Sequence, residues 1–168
     1  MLTAAADAYG PNSLLPRASS LDDALRRARI AVFVDTVVTK VNSVLVGIMI
    51  QAKSEEEKLA KAAAAVAAIK NDVVPLLADA APFFGGSSAL TLAEINTASF
   101  LLRIYTLGKP EHGFFPASVL DDFRAIPVWQ KWVDALLAHP SVTDIYDEQA
   151  NADAWRNKLA QIKLAELK

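Results

Sequence analysis

The stretch Phe83-Phe84-Gly85-Gly86-Ser87-Ser88-Ala89-Leu90-Thr91-Leu92-Ala93-Glu94-Ile95-Asn96-Thr97-Ala98-Ser99-Phe100-Leu101-Leu102 decides how the rest of the chain is read. It describes a loop that hands over to a helix. Thr91 followed three residues later by Glu94 is a capping box: the hydroxyl accepts from the amide at 94 while the carboxylate reaches back to the amide at 91. Leu90 and Ile95 stand at the positions of a hydrophobic staple. Beyond the cap, Leu92, Ile95, Phe100, Leu101, Leu102 and Ile104 are separated only by small or mildly polar residues, so the helix is apolar around most of its circumference. A helix of that kind belongs inside a protein.

Working outward, the 168-residue chain is long enough for one domain that buries roughly 70% of its unfolded surface. With no cysteine, disulfide frameworks, thiolate zinc sites and a cysteine nucleophile are excluded. A formal charge of -2 gives no nucleic-acid or anionic-membrane footprint, so neither nucleic acid nor membrane is expected as a partner. The first residues, Met1 to Asp7, lack the basic leader and apolar run of a secretory signal, and a cytoplasmic location is expected. The segment from Ile30 to Ile50 is long enough to span a bilayer, but Asp35 and Lys40 argue against it.

Upstream, residues 1–19 read as a connector, with a turn at Tyr9-Gly10-Pro11-Asn12 and Pro16 discouraging helix before it. Ser20 with Asp23 opens a long helix that runs to about Lys53. Its many β-branched residues favour strand by propensity. Periodicity favours helix, because Asp35, Thr36, Thr39, Lys40, Asn42, Ser43 and Gly47 gather on one helical side. Ser54 with Glu57 caps a second long helix, with Leu59, Ala63, Val66, Ile69, Val73 and Leu76 expected inward, an alanine run from Ala62 to Ala65 suited to close packing, and a kink at Pro75.

Downstream, Gly108, Pro110, Gly113 and Pro116 break the chain. A short helix is expected from Ala117 to about Arg124, then one starting near Pro127 and stopping at His139-Pro140. From Asn151 a Lys-rich helix presents Trp155, Leu159 and Ile162 on one side and is expected to lie across the body. The fold class is therefore all-α.

The order of these pieces resembles the C-terminal helical domain of glutathione transferases. The resemblance rests on Ser13-Leu14-Leu15-Pro16 as an interdomain linker, on Phe83-Phe84-Gly85-Gly86 with Leu90-Thr91-Leu92-Ala93-Glu94 as the loop and capped central helix, and on Trp129-Gln130-Lys131-Trp132 with Ala138-His139-Pro140-Ser141-Val142 as the penultimate helix and its turn. It implies a bundle with two long helices, a buried N-capped central helix and a C-terminal helical tail, divided as a 1–19 connector, a 20–147 helical domain and a 148–168 tail. The family usually carries aspartate where this chain has Glu94, so bonds that depend on the shorter arm are expected to change.

The resemblance further implies that glutathione would be the co-substrate and that the helical domain would supply a hydrophobic acceptor pocket. Phe33, Thr36, Val37 and Lys40 on the first long helix, with Tyr105 near the end of the central one, are the expected pocket residues. Thiol activation in the family belongs to a thioredoxin-like domain, of which residues 1–12 resemble only the last helix, so no catalytic residue is assigned. Partners implied are a second copy or the absent domain, through the two long helices, and hydrophobic small molecules. The rival reading is a non-catalytic docking module similar to those of translation elongation factor gamma subunits and tRNA synthetase assemblies. His112, in a Gly/Pro-rich loop, and His139, at a helix end where it can answer free carbonyls, read as structural, and no metal site is expected.

Overall fold

A computed structural model describes Leu14 and residues 20–166, and its longer helices fall where helices are expected, whereas the single turn Pro140–Thr143 is not anticipated and the last helix begins at Glu148, three residues earlier than expected. The connector, including the turn near Gly10 and Pro16, lies outside the described residues apart from Leu14. Helix α1 spans Leu21–Ile50. It is followed by α2, Glu55–Ala68 continued by Ile69–Val73 and Val74–Leu77, and by the central α3, Leu92–Leu107. Then come α4, Val119–Arg124; α5, Pro127–Leu137; the single turn α6, Pro140–Thr143; and α7, Glu148–Glu166. Among the described residues there is no strand, only an isolated bridge between Phe83 and Ser87.

Helices α1 and α2 form a long hairpin, and both depart from α geometry at facing places. The β-branched middle of α1 widens into a π-helical segment, Val37–Asn42, where the Ser43 hydroxyl donates to the Val38 carbonyl at 2.9 Å. In α2 the segment Ile69–Val73 is π-helical and Val74–Leu77 tightens to a 3₁₀ turn. Pro75 is the cause: it offers no amide to the carbonyl four residues back, and its ring crowds that turn, so the helix changes pitch instead of simply bending. The Lys40 ammonium, 2.7 Å from Asp72, ties the two π segments together.

The expected inward face of α2 holds at Ile69 and Val73, with Val66 and Leu76 packed on the core, and is corrected at Leu59 and Ala63. Ala62, Ala65, Ile69, Val73 and Leu77 are buried, whereas Leu59 is 53% exposed and Ala63 is exposed. Alanines on several sides leave the stripe ambiguous by hydrophobicity alone, and packing against α1 selects the phase that brings the smallest side chains to the contact. On α1 the polar stripe is largely outside at Asp35, Thr39, Lys40 and Ser43, but Thr36 and Gly47 are buried.

The body closes around α3. The Phe33 ring lies 4.8 Å from Phe84 and 5.3 Å, edge-on, from Trp132. Trp132 stands 5.5 Å from Trp129, which meets Phe123 at 6.4 Å. This aromatic chain joins α1, the loop before α3, α5 and α4. Helix α7 lies along α3, with Trp155, Leu159 and Ile162 half-buried as their spacing predicts. Although Leu21–Ile50 is long and apolar enough to cross a membrane, Phe33, Val37, Val41, Leu45 and Ile48 are buried in the core.

Candidate functional site

The start of α3 is where the sequence signal and the structure meet. Every amide of the first turn finds an acceptor. Leu92 donates to the Leu14 carbonyl at 2.9 Å, Ala93 to the Thr91 hydroxyl at 3.1 Å, and the capping box is closed. Glu94, fully buried, accepts four hydrogen bonds: Oε2 from the Thr91 amide at 2.9 Å and the Thr91 hydroxyl at 2.6 Å, Oε1 from the Phe84 amide and the Trp132 indole, both at 2.8 Å. The longer arm of glutamate thus closes the box and also reaches the loop and α5. A buried carboxylate costs little only when its lone pairs are filled, and here both oxygens are. Leu90 packs on the core as a staple should, while Ile95 is 37% exposed.

Two grooves flank this point. The larger, about 640 Å³, runs along α1 beside the first turns of α3 and is lined by Arg27, Ala28, Ile30, Ala31, Val34, Asp35, Val38, Leu92 and Asn96. Its walls are aliphatic, with polar groups only at Arg27, Asp35 and Asn96. The smaller, about 440 Å³, lies on the other side of Ile30 and is lined by Leu14, Arg26, Arg29, Asp79, Phe84, Gly85, Gly86, Ser87 and Thr91. There Arg29 makes two hydrogen bonds to Asp79, at 2.9 and 3.0 Å, and lies over the Phe84 ring. Gly85 and Gly86 have positive φ, which makes the turn into Ser87 possible.

The residues expected at a pocket edge lie elsewhere. Phe33 and Val37 are fully buried in the core, and Thr36 is buried with its hydroxyl given to the Val32 carbonyl at 2.7 Å. Lys40 is outside, paired with Asp72. Tyr105 is half-buried between α3 and α5: its hydroxyl accepts from the Trp129 indole at 3.1 Å, donates to Gln130 at 3.0 Å, and is pushed up to about 12 by burial. The groove therefore lies on the same helix as Phe33, Thr36, Val37 and Lys40 but on a neighbouring face. Ala28, Ala31, Val34 and Val38 repeat at helical spacing, a signal hidden in an almost uniformly apolar run.

Both histidines make local contacts, and that of His139 differs from the expected one. His139 accepts the Ser141 amide at 3.3 Å, serving the start of α6 and not the end of α5. His112 fastens the loop after α3 to α7. Its Nδ1 faces the Arg156 guanidinium at 3.1 Å and its Nε2 faces Glu148 at 3.4 Å. Glu111, His112 and Glu148 do bring donor atoms within 4.8 Å of one another, a grouping the sequence does not reveal. The Lys109 ammonium, 2.6 Å from both Glu148 oxygens, and Arg156 already supply positive charge there.

No family model, curated protein or solved structure matches this chain.

Proposed function

We propose that this chain is a glutathione transferase-like helical domain whose groove between α1 and the start of α3 holds the hydrophobic acceptor substrate. Glutathione and the group that activates its thiol would be provided by residues outside the chain. The supporting observation is the aliphatic groove itself. Its volume falls in the usual range for small-molecule sites, and it lies against the helix start that carries the family resemblance. The polar side chains that line it, Arg27, Asp35 and Asn96, include no hydroxyl, phenol or thiol of the kind that assists a thiolate nucleophile.

The test is displacement of a bound neutral apolar fluorophore, N-phenyl-1-naphthylamine, by 1-chloro-2,4-dinitrobenzene. Saturable displacement that disappears in Ala31→Trp, which fills the groove, is the expected result. Fluorophore binding untouched by either the competitor or the substitution would overturn the reading. Conjugation of glutathione by the isolated chain should stay near the uncatalysed rate, and clear turnover would overturn the proposed division of labour.

A docking role is the second reading, favoured by a specific feature of α1. Leu21, Leu25 and Val32 are 76%, 54% and 53% exposed, and with Ala28 they recur at one-helix-face spacing. A second copy or the complementary domain would cover that stripe. Leu25→Lys should lower any concentration-dependent increase in mass measured by sedimentation, and an unchanged profile would remove this reading.

A further inference from the structure

We propose that Asp35 makes the α1–α3 groove selective for amphiphiles bearing a cationic head group. The inference rests on the groove reading above and concerns which ligands that groove prefers. Asp35 lines the groove among Ala31, Val34 and Val38, one turn of α1 to either side. Its carboxylate makes no hydrogen bond or ion pair within the described chain. The residues at helical pairing distance are Ala31, Val32, Val38 and Thr39, none of them basic, and the Thr39 hydroxyl is spent on the Asp35 backbone carbonyl at 2.7 Å. The next ammonium along the helix, Lys40, is committed to Asp72.

The other polar groups sharpen the preference. Asn96 gives its side-chain N–H to the Leu92 carbonyl at 2.7 Å, which leaves its Oδ1 as an acceptor in the same groove. Arg27 already has a partner and stands eight residues, about 12 Å, up the helix from Asp35. The groove is thus an aliphatic trough in which Asp35 and a satisfied Arg27 stand about 12 Å apart along α1, with the Asn96 acceptor on the α3 wall. An alkyl chain lying along Ala28, Ala31 and Val34, with an ammonium at Asp35, meets both requirements. A carboxylate head would face Asp35 with like charge.

The experiment titrates the full chain with octyltrimethylammonium, octanol and octanoate, followed by the amide shifts of Ala31, Val34 and Asn96, on wild type and Asp35→Asn. The cation should bind about threefold to fivefold more tightly than the alcohol, as a partly exposed charge pair allows, and octanoate more weakly still. Asp35→Asn should erase that order and leave octanol unchanged, and added salt should shrink it in wild type only. Equal binding of all three ligands would overturn the selectivity while leaving the groove in place. A cation preference that survives Asp35→Asn would also overturn it, and no binding by any ligand would remove the groove reading as well.

Discussion

The Trp132 indole donates its hydrogen bond to Glu94 Oε1 at 2.8 Å, linking α5 to the first turn of α3 inside the core. The same carboxylate holds the Phe84 and Thr91 amides, so one side chain fixes the loop, the cap and the neighbouring helix. Glu94→Ala would strand four donors at once, the buried Phe84 amide and Trp132 indole and the part-buried Thr91 amide and hydroxyl. We predict a loss of about 3–5 kcal/mol, the range for removing one partner from a buried charged network. Urea denaturation checks it, and a loss below about 1 kcal/mol would show that the network contributes little.

Thr91→Ala removes only the cap hydroxyl, an acceptor for Ala93 and a donor to Glu94. The expected cost is about 1–2 kcal/mol. The denaturation midpoint should fall by clearly less than for Glu94→Ala, and the two effects should not add, because the residues share one box.

Thr91 and Glu94 announce a helix start by local chemistry that needs no tertiary context, and the start is where they place it. The reach of Glu94 to Trp132, 38 residues away, is invisible to local spacing. On α1, periodicity correctly overrode the strand propensity of Val37, Val38, Thr39 and Val41. The same apolar uniformity hid which face is open: Phe33 and Val37 look no different in sequence from Val34 and Val38, and only tertiary packing, which sets Phe33 against Phe84 and Trp132, sends the first pair inward.

Two glycines separate steric from conformational need. A Cβ at Gly108 would lie 2.7 Å from both Cγ and Cδ2 of Leu120, a buried residue, and 2.9 Å from the Ile104 carbonyl. Gly108→Ala should therefore cost about 1–3 kcal/mol through overpacking. At Gly85, with φ of 67°, a Cβ has open space, so Gly85→Ala should cost about 1–2 kcal/mol from backbone conformation alone. Paired substitution with Leu120→Ala tells them apart: it should relieve the Gly108 variant in part, the approach to the Ile104 carbonyl remaining, and leave the Gly85 variant unchanged.

Acid sensitivity should trace to two exposed ion pairs. The hydrogen bond from Lys109, opposed by partial burial and aided by His112, holds the Glu148 carboxyl below its ordinary value. The hydrogen bonds from Arg29 do the same for Asp79. Because the folded values are depressed, the stabilisation is present above the unfolded values of 4.5 and 3.8 and is lost as pH falls through the folded ones. Both carboxylates are well exposed, so the effect is small and screened by salt. Glu148→Gln and Asp79→Asn should each flatten the acid limb of the stability curve below about pH 4.5, and an unchanged slope would contradict the assignment.

The most direct measurement for the functional account is an amide-shift titration with 1,3-dinitrobenzene, a non-reacting analogue of the acceptor. The account predicts saturable shifts clustered at Ala28, Ala31, Val34, Asp35, Leu92 and Asn96, the residues that build the groove. Shifts gathered instead around Leu14, Gly86 and Ser87 in the smaller groove, or no saturable shift at all, would contradict it.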